Sequence, residues 1–314
     1  MTAAPLDPDA AARVAAFGVI PPMRDRGLDA VRHALESAPL PDDLPPMASV
    51  ENRSIPGVVG DIEVRIYRPT PTTDGPALVY FHGGGMVLGS NHSFEPLARM
   101  LSAATAATVV SVDYRLAPEN PPPAQFEDAY AATTWVVDNA EQLRLDPTRV
   151  AVGGDSAGGS LAAAVALAAR DRGGPAILAQ LLMYPGLDRD MAASSIVSQP
   201  DAPLLSLDDI TFMHDLADRG AGPPHDAYRV PAYAADLSGL PQAIVLTAGS
   251  DPIRDWGERY ATRLRDAGVQ TTLTRYPGVY HGFLMRADAT ARGRLAIAET
   301  GALLRAKFAH PLEF

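Results

Sequence analysis

Ser156 stands in Gly154-Asp155-Ser156-Ala157-Gly158, directly after the β-branched run Val150 to Val152 and directly before an alanine-rich segment. That order reads as strand, sharp turn and helix, with the hydroxyl pushed out at the strand's carboxyl end. Glycines on both sides are required where a Cβ would collide with the neighbouring strand or helix. A serine held in this way is placed for nucleophilic attack on a carbonyl. A second stretch, His82-Gly83-Gly84-Gly85-Met86, follows the apolar run Ala77 to Phe81 and leaves backbone N–H groups unshielded for a developing oxyanion. A flexible turn is the plain alternative for three glycines, but two such turns one strand–helix unit apart would share one edge of a parallel sheet. The remaining partners are a base and an acid. Among the seven histidines, His281 lies in a loop after the last strand, whereas His33, His214, His225 and His310 fall in the arm, the cap region or the terminus, where a solvated polar role is expected. For the acid, Asp251 follows an apolar strand and precedes a proline that suits a first helical position, so helix capping competes with catalysis; Asp255 is the rival carboxylate.

These groups need a scaffold. Ala77 to Phe81, Thr108 to Val112, Val150 to Val152, Leu178 to Met183 and Ala243 to Thr247 are nearly continuous apolar runs, as expected of strands covered on both faces. Helical stretches alternate with them, at about residues 94–106, 124–139, 156–170 and 254–267, which predicts a doubly wound α/β sheet. Ile62 to Arg68 alternates apolar and polar and is expected at a sheet edge. Thr271 to Tyr276 is the last strand and could pair with its counterpart in a homodimer; a final helix is expected from about 288 to 308. Residues 1–50, with helical spacing over 7–17 and 27–37 and a proline-rich connection over 39–46, form an arm, and 51–314 form the catalytic domain. Residues 187–233 break the rhythm. Their Ser206-Leu207-Asp208-Asp209 capping box opens a helix, and with the arm they are expected to build a small helical cap. Met86, Leu204, Leu205, Phe212 and Met213 are its candidate apolar lining.

Composition narrows the chemistry. The chain has 314 residues, 47% of them hydrophobic, and a formal net charge of −11, which disfavours nucleic acid and anionic membranes as partners. It has no cysteine, which excludes thiol chemistry and cysteine-ligated metals, and one lysine, Lys307, near the C-terminus, poorly placed for Schiff-base, Ser-Lys or P-loop mechanisms. No dinucleotide-binding or metal-ligand spacing occurs, so neither cofactor nor metal is expected. The beginning of the chain lacks a basic region followed by an apolar core, and no run is suited to span a bilayer; a cytoplasmic location is the expectation.

Taken in order, His82-Gly83-Gly84-Gly85, Asp113-Tyr114-Arg115-Leu116-Ala117-Pro118-Glu119, Gly154-Asp155-Ser156-Ala157-Gly158, Asp251-Pro252-Ile253-Arg254-Asp255 and His281-Gly282-Phe283 resemble the signature of the bacterial hormone-sensitive-lipase-like (family IV) carboxylesterases, within the α/β-hydrolase fold. The resemblance runs from about Ile62 to the final helix. It departs at Met86, where an aromatic residue is common, and at Ser160, where asparagine is frequent. It implies a serine esterase acting on small short- to medium-chain esters, with Ser156 as nucleophile, His281 as base, Asp251 as the orienting acid and His82 as a stabiliser of the glycine turn. The N–H groups of Gly84, Gly85 and Ala157 would be the oxyanion donors; Asp155 and Glu119 would be structural. An amidase, peptidase or acyltransferase could use the same groups. Some relatives of the fold are receptors that bind a small molecule after losing a catalytic residue, a reading disfavoured by Ser156, Asp251 and His281 standing together.

Overall fold

The computed structural model describes residues 5–70, 74–221 and 224–312. Eight strands form one sheet: β1 (Ser49–Pro56), β2 (Asp61–Arg68), β3 (Gly75–Phe81), β4 (Thr108–Asp113), β5 (Leu145–Asp155), β6 (Ala179–Met183), β7 (Gln242–Ser250) and β8 (Thr271–Tyr280). Their spatial order is β1-β2-β4-β3-β5-β6-β7-β8. The β1–β2 and β2–β4 pairs are antiparallel, and every pair from β4 to β8 is parallel. Strands β3 to β7 are apolar almost throughout because helices cover both faces, so neither face tolerates a polar alternation.

The helices are α1 (Pro8–Ala16), α2 (Met23–Arg26), α3 (Leu28–Glu36), α4 (Glu95–Thr105), α5 (Ala124–Asp138), α6 (Ala140–Leu143), α7 (Ala157–Arg172), α8 (Ser194–Ser198), α9 (Leu207–Ala217), α10 (Arg254–Asp266) and α11 (Ala291–Ala309), with 3-10 turns at Pro231–Tyr233 and Phe283–Ala289. None of them, within the described residues, is long and apolar enough to cross a membrane. Helix α7 is buried along nearly its whole length, and its alanines let it lie close to the sheet.

Two expectations about the elements change. Ile62 to Arg68 is not an edge strand, because β1 pairs with β2 along its full length and takes the edge. The sequence Ser49 to Pro56 hides this: its side chains are mostly exposed and polar, and the pairing rests on backbone hydrogen bonds, which leave no hydrophobic period to read. The final helix also starts later than expected, at Ala291, capped by the Thr290 hydroxyl, because the segment before it is wound as a 3-10 turn. By contrast β8 does end the sheet, and the capping box at Ser206 forms in both directions, with the serine hydroxyl accepting from the Asp209 N–H and the Asp209 carboxylate accepting from the Ser206 N–H.

The arm and the segment after β6 meet each other above the carboxyl ends of the central strands. The Met23 N–H donates to the Asp209 carboxylate at 2.8 Å, and Arg24 lies 3.6 Å from Asp208 and 3.3 Å from Asp215. Arg32 ties α3 down: its guanidinium donates to the carbonyls of Val87 and Ala117 at 2.8 Å each and pairs with Glu119 at 2.7 Å. Glu119 is thus one of several groups that hold the arm.

Candidate active site

At the end of β5 the backbone turns through Ser156 at φ 53° and ψ −118°, and α7 begins at the next residue. A non-glycine residue in this region costs on the order of 1–3 kcal/mol, so the surroundings must hold it there. They do so by close approach. A Cβ on Gly158 would fall on the carbonyl oxygen of Phe81, and one on Gly154 would meet the Gly158 carbonyl, so α7 can sit against β3 only if both positions are glycine. The Ser156 N–H donates to the Met183 carbonyl at 2.8 Å, which locks the turn to β6.

Beyond β3, the second turn is tied to the first by one buried carboxylate. Asp155 accepts from the Tyr80 hydroxyl at 2.6 Å and from the Gly83 N–H at 2.9 Å through the same oxygen. Burial pushes its pKa up to about 6. Gly83 therefore spends its N–H on the scaffold. Gly84 and Gly85 follow at φ 108° and 62°, and the Gly84 carbonyl accepts from Val87 and Leu88 at 3.0 and 2.9 Å, closing the turn. His82 is fully buried beneath it, stacked on Tyr114 with ring centroids 4.4 Å apart, and its Nδ1–H donates to the Gly83 carbonyl at 2.8 Å. Burial lowers its pKa to about 4, so it sits there as a neutral, space-filling ring.

His281 arrives from the loop after β8. Its Nε2 is 2.9 Å from the Ser156 Oγ, and its Nδ1 is 2.9 Å from the Asp251 Oδ2. Asp251 is wholly buried just after β7, and its other oxygen accepts the Ile253 N–H at 2.9 Å, so one carboxylate both holds the turn that leads into α10 and faces the imidazole. The expected helix cap does not form, since the N-cap position is Ile253 and no side chain caps α10. Asp255 points elsewhere: its oxygens take the Ser195 N–H at 2.8 Å and the Arg254 guanidinium at 2.9 Å.

Ser156 opens into a cavity of about 430 Å³, bordered on the serine side by Gly85, Met86, Ala157 and Gly186. That is a volume suited to a small organic ligand. Leu205 and Met213, expected on its wall, are there; Gly84 does not border it. Leu204 and Phe212, also expected there, are not. Leu204 adopts φ 65° on an exposed loop, where it helps to border a second hollow between the arm and residues 200–211, and Phe212 lies under the Arg24 guanidinium, 5.0 Å from ring centroid to cation. Helical period explains the error. Ile210, Met213 and Ala217 repeat at three and four residues and face inward, which turns residue 212 about 100° away.

The same period puts His214 inward. It borders the cavity in place of the solvated position expected for it, stacked at 6.2 Å on Trp256, and its pKa is lowered to about 3, chiefly by burial and then by the charge of Arg189. Arg189, Asp218 and Arg229, which no motif marks, also line the wall, as do Phe126, Tyr228, Ile253 and Trp256. Only His214 carried a readable signal, its place on the α9 stripe. Ser160 donates its hydroxyl to the Gly186 carbonyl, which pins α7 to the loop after β6.

Comparison with known proteins agrees with this geometry. Residues 78–285 match the model of a family described by the α/β-hydrolase fold. A carboxylesterase of Mycobacterium tuberculosis, NlhH, is 42% identical over 288 residues, covering 86% of this chain and 89% of its own. An arylesterase of Saccharolobus solfataricus is 37% identical, over 78% and 79% of the two chains. Among solved structures, a hyperthermophilic esterase from Pyrobaculum calidifontis superimposes with a TM-score of 0.89 at 37% identity, covering 96% of this chain and 98% of its own. A thermostable esterase from Pseudomonas putida does so with a TM-score of 0.92 at 32% identity, over 98% and 99%. This chain belongs to the α/β-hydrolase fold family and, within it, to the hormone-sensitive-lipase-like carboxylesterases.

Proposed function

We propose that this carboxylic ester hydrolase works through a Ser156–His281–Asp251 triad on short- to medium-chain carboxylic esters. The observation that carries the reading is the continuous line from Asp251 Oδ2 through both imidazole nitrogens to Ser156 Oγ, with two contacts of 2.9 Å. His281 Nε2 takes the hydroxyl proton as Ser156 Oγ attacks the ester carbonyl. The tetrahedral oxyanion rests on the N–H groups of Gly84, Gly85 and Ala157, the last at the positive end of α7. The C–O bond to the alcohol breaks as His281 returns its proton to the leaving oxygen. Water, deprotonated by the same nitrogen, then attacks the acyl-enzyme; the Ser156 Oγ–acyl bond breaks as His281 returns the proton to Oγ, and the acid leaves. Asp251 holds Nδ1 protonated throughout and stabilises the imidazolium.

Residues 1–50 and 187–233 act in this proposal as the cap: the second segment borders the cavity over Ser156 through Arg189, Leu205, Ile210 and Met213, the arm packs on α9 behind it, and together they select by size. A cytoplasmic enzyme that pairs through the open edge of β8 is part of the same reading; cell fractionation and light scattering test those two points. The reaction itself is tested by an organophosphonate, which should label wild-type protein on Ser156 with loss of ester turnover. Labelling of a different residue, or turnover that survives stoichiometric labelling, would refute the triad.

A further inference from the structure

The cavity that opens at Ser156 has a second polar region, built on two arginines and the carboxylate they share. Arg189 leaves the loop after β6 and Arg229 the loop before the Pro231–Tyr233 turn, and both place a guanidinium nitrogen on one oxygen of Asp218, at 3.2 and 2.7 Å. Asp218 is therefore divided between two guanidiniums and does not serve Arg189 alone. The Arg189 side chain is 20% exposed and borders the cavity. Burial, and then the neighbouring Arg229 charge, hold its pKa below the usual guanidinium value against the pull of Asp218. The other carboxylates within reach are engaged elsewhere: Asp188 and Asp190 hold Arg259 at 3.1 and 2.7 Å, although Asp188 also takes the Arg189 backbone N–H. Of the acidic groups on the cavity wall, Asp226 accepts the N–H groups of Tyr228 and Arg229, and Glu127 faces Arg172 at 3.8 Å. His214 stands beside Arg189 as an uncharged ring and adds no competing anion.

A largely apolar cavity with a half-buried arginine on its wall, whose one carboxylate is shared with a second arginine, favours an anion over a hydrocarbon end, because a charge-assisted hydrogen bond gains strength where water is excluded. We propose that Arg189 is a specificity-determining residue and that the preferred substrate is an ester that also carries a carboxylate, bound by the Arg189 guanidinium while its ester carbonyl lies at Ser156. This deepens the esterase reading and rests on it. The carboxylate can sit on the acyl side, as in the half-ester of a dicarboxylic acid, or on the alcohol side, as in an acylated hydroxy acid. Chain length sets whether the two ends of the substrate reach both sites.

The test compares kcat/KM for the full chain on two series, the monoethyl esters of succinate to suberate and the acetyl esters of the matching hydroxy acids, each against its neutral counterpart with a primary carboxamide in place of the carboxylate, which has a single ester bond. In one series, at an intermediate length, the anionic ester should exceed its counterpart by about tenfold or more, equivalent to about 1.4 kcal/mol. Arg189→Gln should lower that ratio by about ten- to a hundredfold, and Arg189→Lys should restore part of it. An arginine that only braced the fold would change both esters together and leave the ratio alone. A neutral preference at every length, or a ratio unmoved by Arg189→Gln, would overturn the proposal. If that variant does not fold, wild-type protein decides: adipate should inhibit neutral-ester hydrolysis competitively and more strongly than hexane-1,6-diol, and equal inhibition would overturn the proposal. Ser156→Ala separates the two claims. Survival of neutral-ester hydrolysis in that variant would remove the serine site itself, whereas an inactive Ser156→Ala with an unchanged Arg189→Gln ratio removes only the anion site.

Discussion

The glycine-rich edge of the sheet and the cap above it are held by different contacts. At the edge, Ser156, Asp155, His82 and Asp251 are fixed by buried hydrogen bonds and by backbones so close that a methyl group does not fit. Over the cavity, the arm meets α9 through Arg24, Asp208 and Asp215, all about half exposed, and the lining includes flexible methionines at 86 and 213. Exposed pairs contribute little and methionine adapts its shape, whereas a buried network admits one arrangement. In the proposed function, chemistry belongs to the rigid region and selection to the adaptable one.

The largest expected effect breaks the rigid side. Ser156→Ala should lower kcat by about four to six orders of magnitude while the circular dichroism spectrum and Tm stay close to wild type, because covalent catalysis is lost and the backbone donors remain. Wild-type turnover would place the nucleophile elsewhere. Next, Asp251→Asn should cost about three to four orders of magnitude in kcat near neutral pH through the wrong imidazole tautomer. Asp255→Asn, which disturbs the Ser195 N–H and Arg254 contacts, should act mainly on stability. A severe Asp255 variant beside a mild Asp251 variant would reverse that assignment.

Where the two regions meet, His214 makes the comparison pH-dependent. Its pKa in the folded protein is about 3, below the ordinary 6.5, so the unfolded chain binds the extra proton first and stability is lost as pH falls from 6.5 towards 3. His214→Phe keeps a ring on Trp256 and removes that loss. Relative to wild type, the variant should gain up to about 1.4 kcal/mol per pH unit over this window in denaturant titrations, and a pH-independent difference would show that the ring titrates normally.

Smaller effects probe the adaptable side. Each methylene placed in the cavity should add about 0.8 kcal/mol until the space is full, so kcat/KM for neutral nitrophenyl esters should rise from acetyl to about butyryl or hexanoyl and then fall. A continued rise to the longest chains, or faster turnover on emulsified oil, would mean that the cap opens. Last, Arg24→Ala should change the unfolding free energy by less than about 1 kcal/mol, since its partners are exposed. A larger loss would make the arm a structural brace.

Sequence alone determined what local rules govern. Covered strands must be apolar, so β3 to β7 were visible as runs; the turns at Gly83 to Gly85 and Gly154 to Gly158 were visible because only glycine permits such approaches; and the helix at Ser206 was visible because its cap is local. Tertiary structure decided what depends on distance between remote segments. It made β1 the edge through backbone pairing, brought His281 to Ser156 across 125 positions, and let Asp251 hold the turn into α10 and face the imidazole at once. It also turned Leu204 and Phe212 away from the cavity and set Arg189, Asp218 and Arg229 into its wall. Those last residues come from loops and a helix end whose conformation follows from packing against the rest of the fold, and a charge carries no period by which a sequence could announce which way it faces.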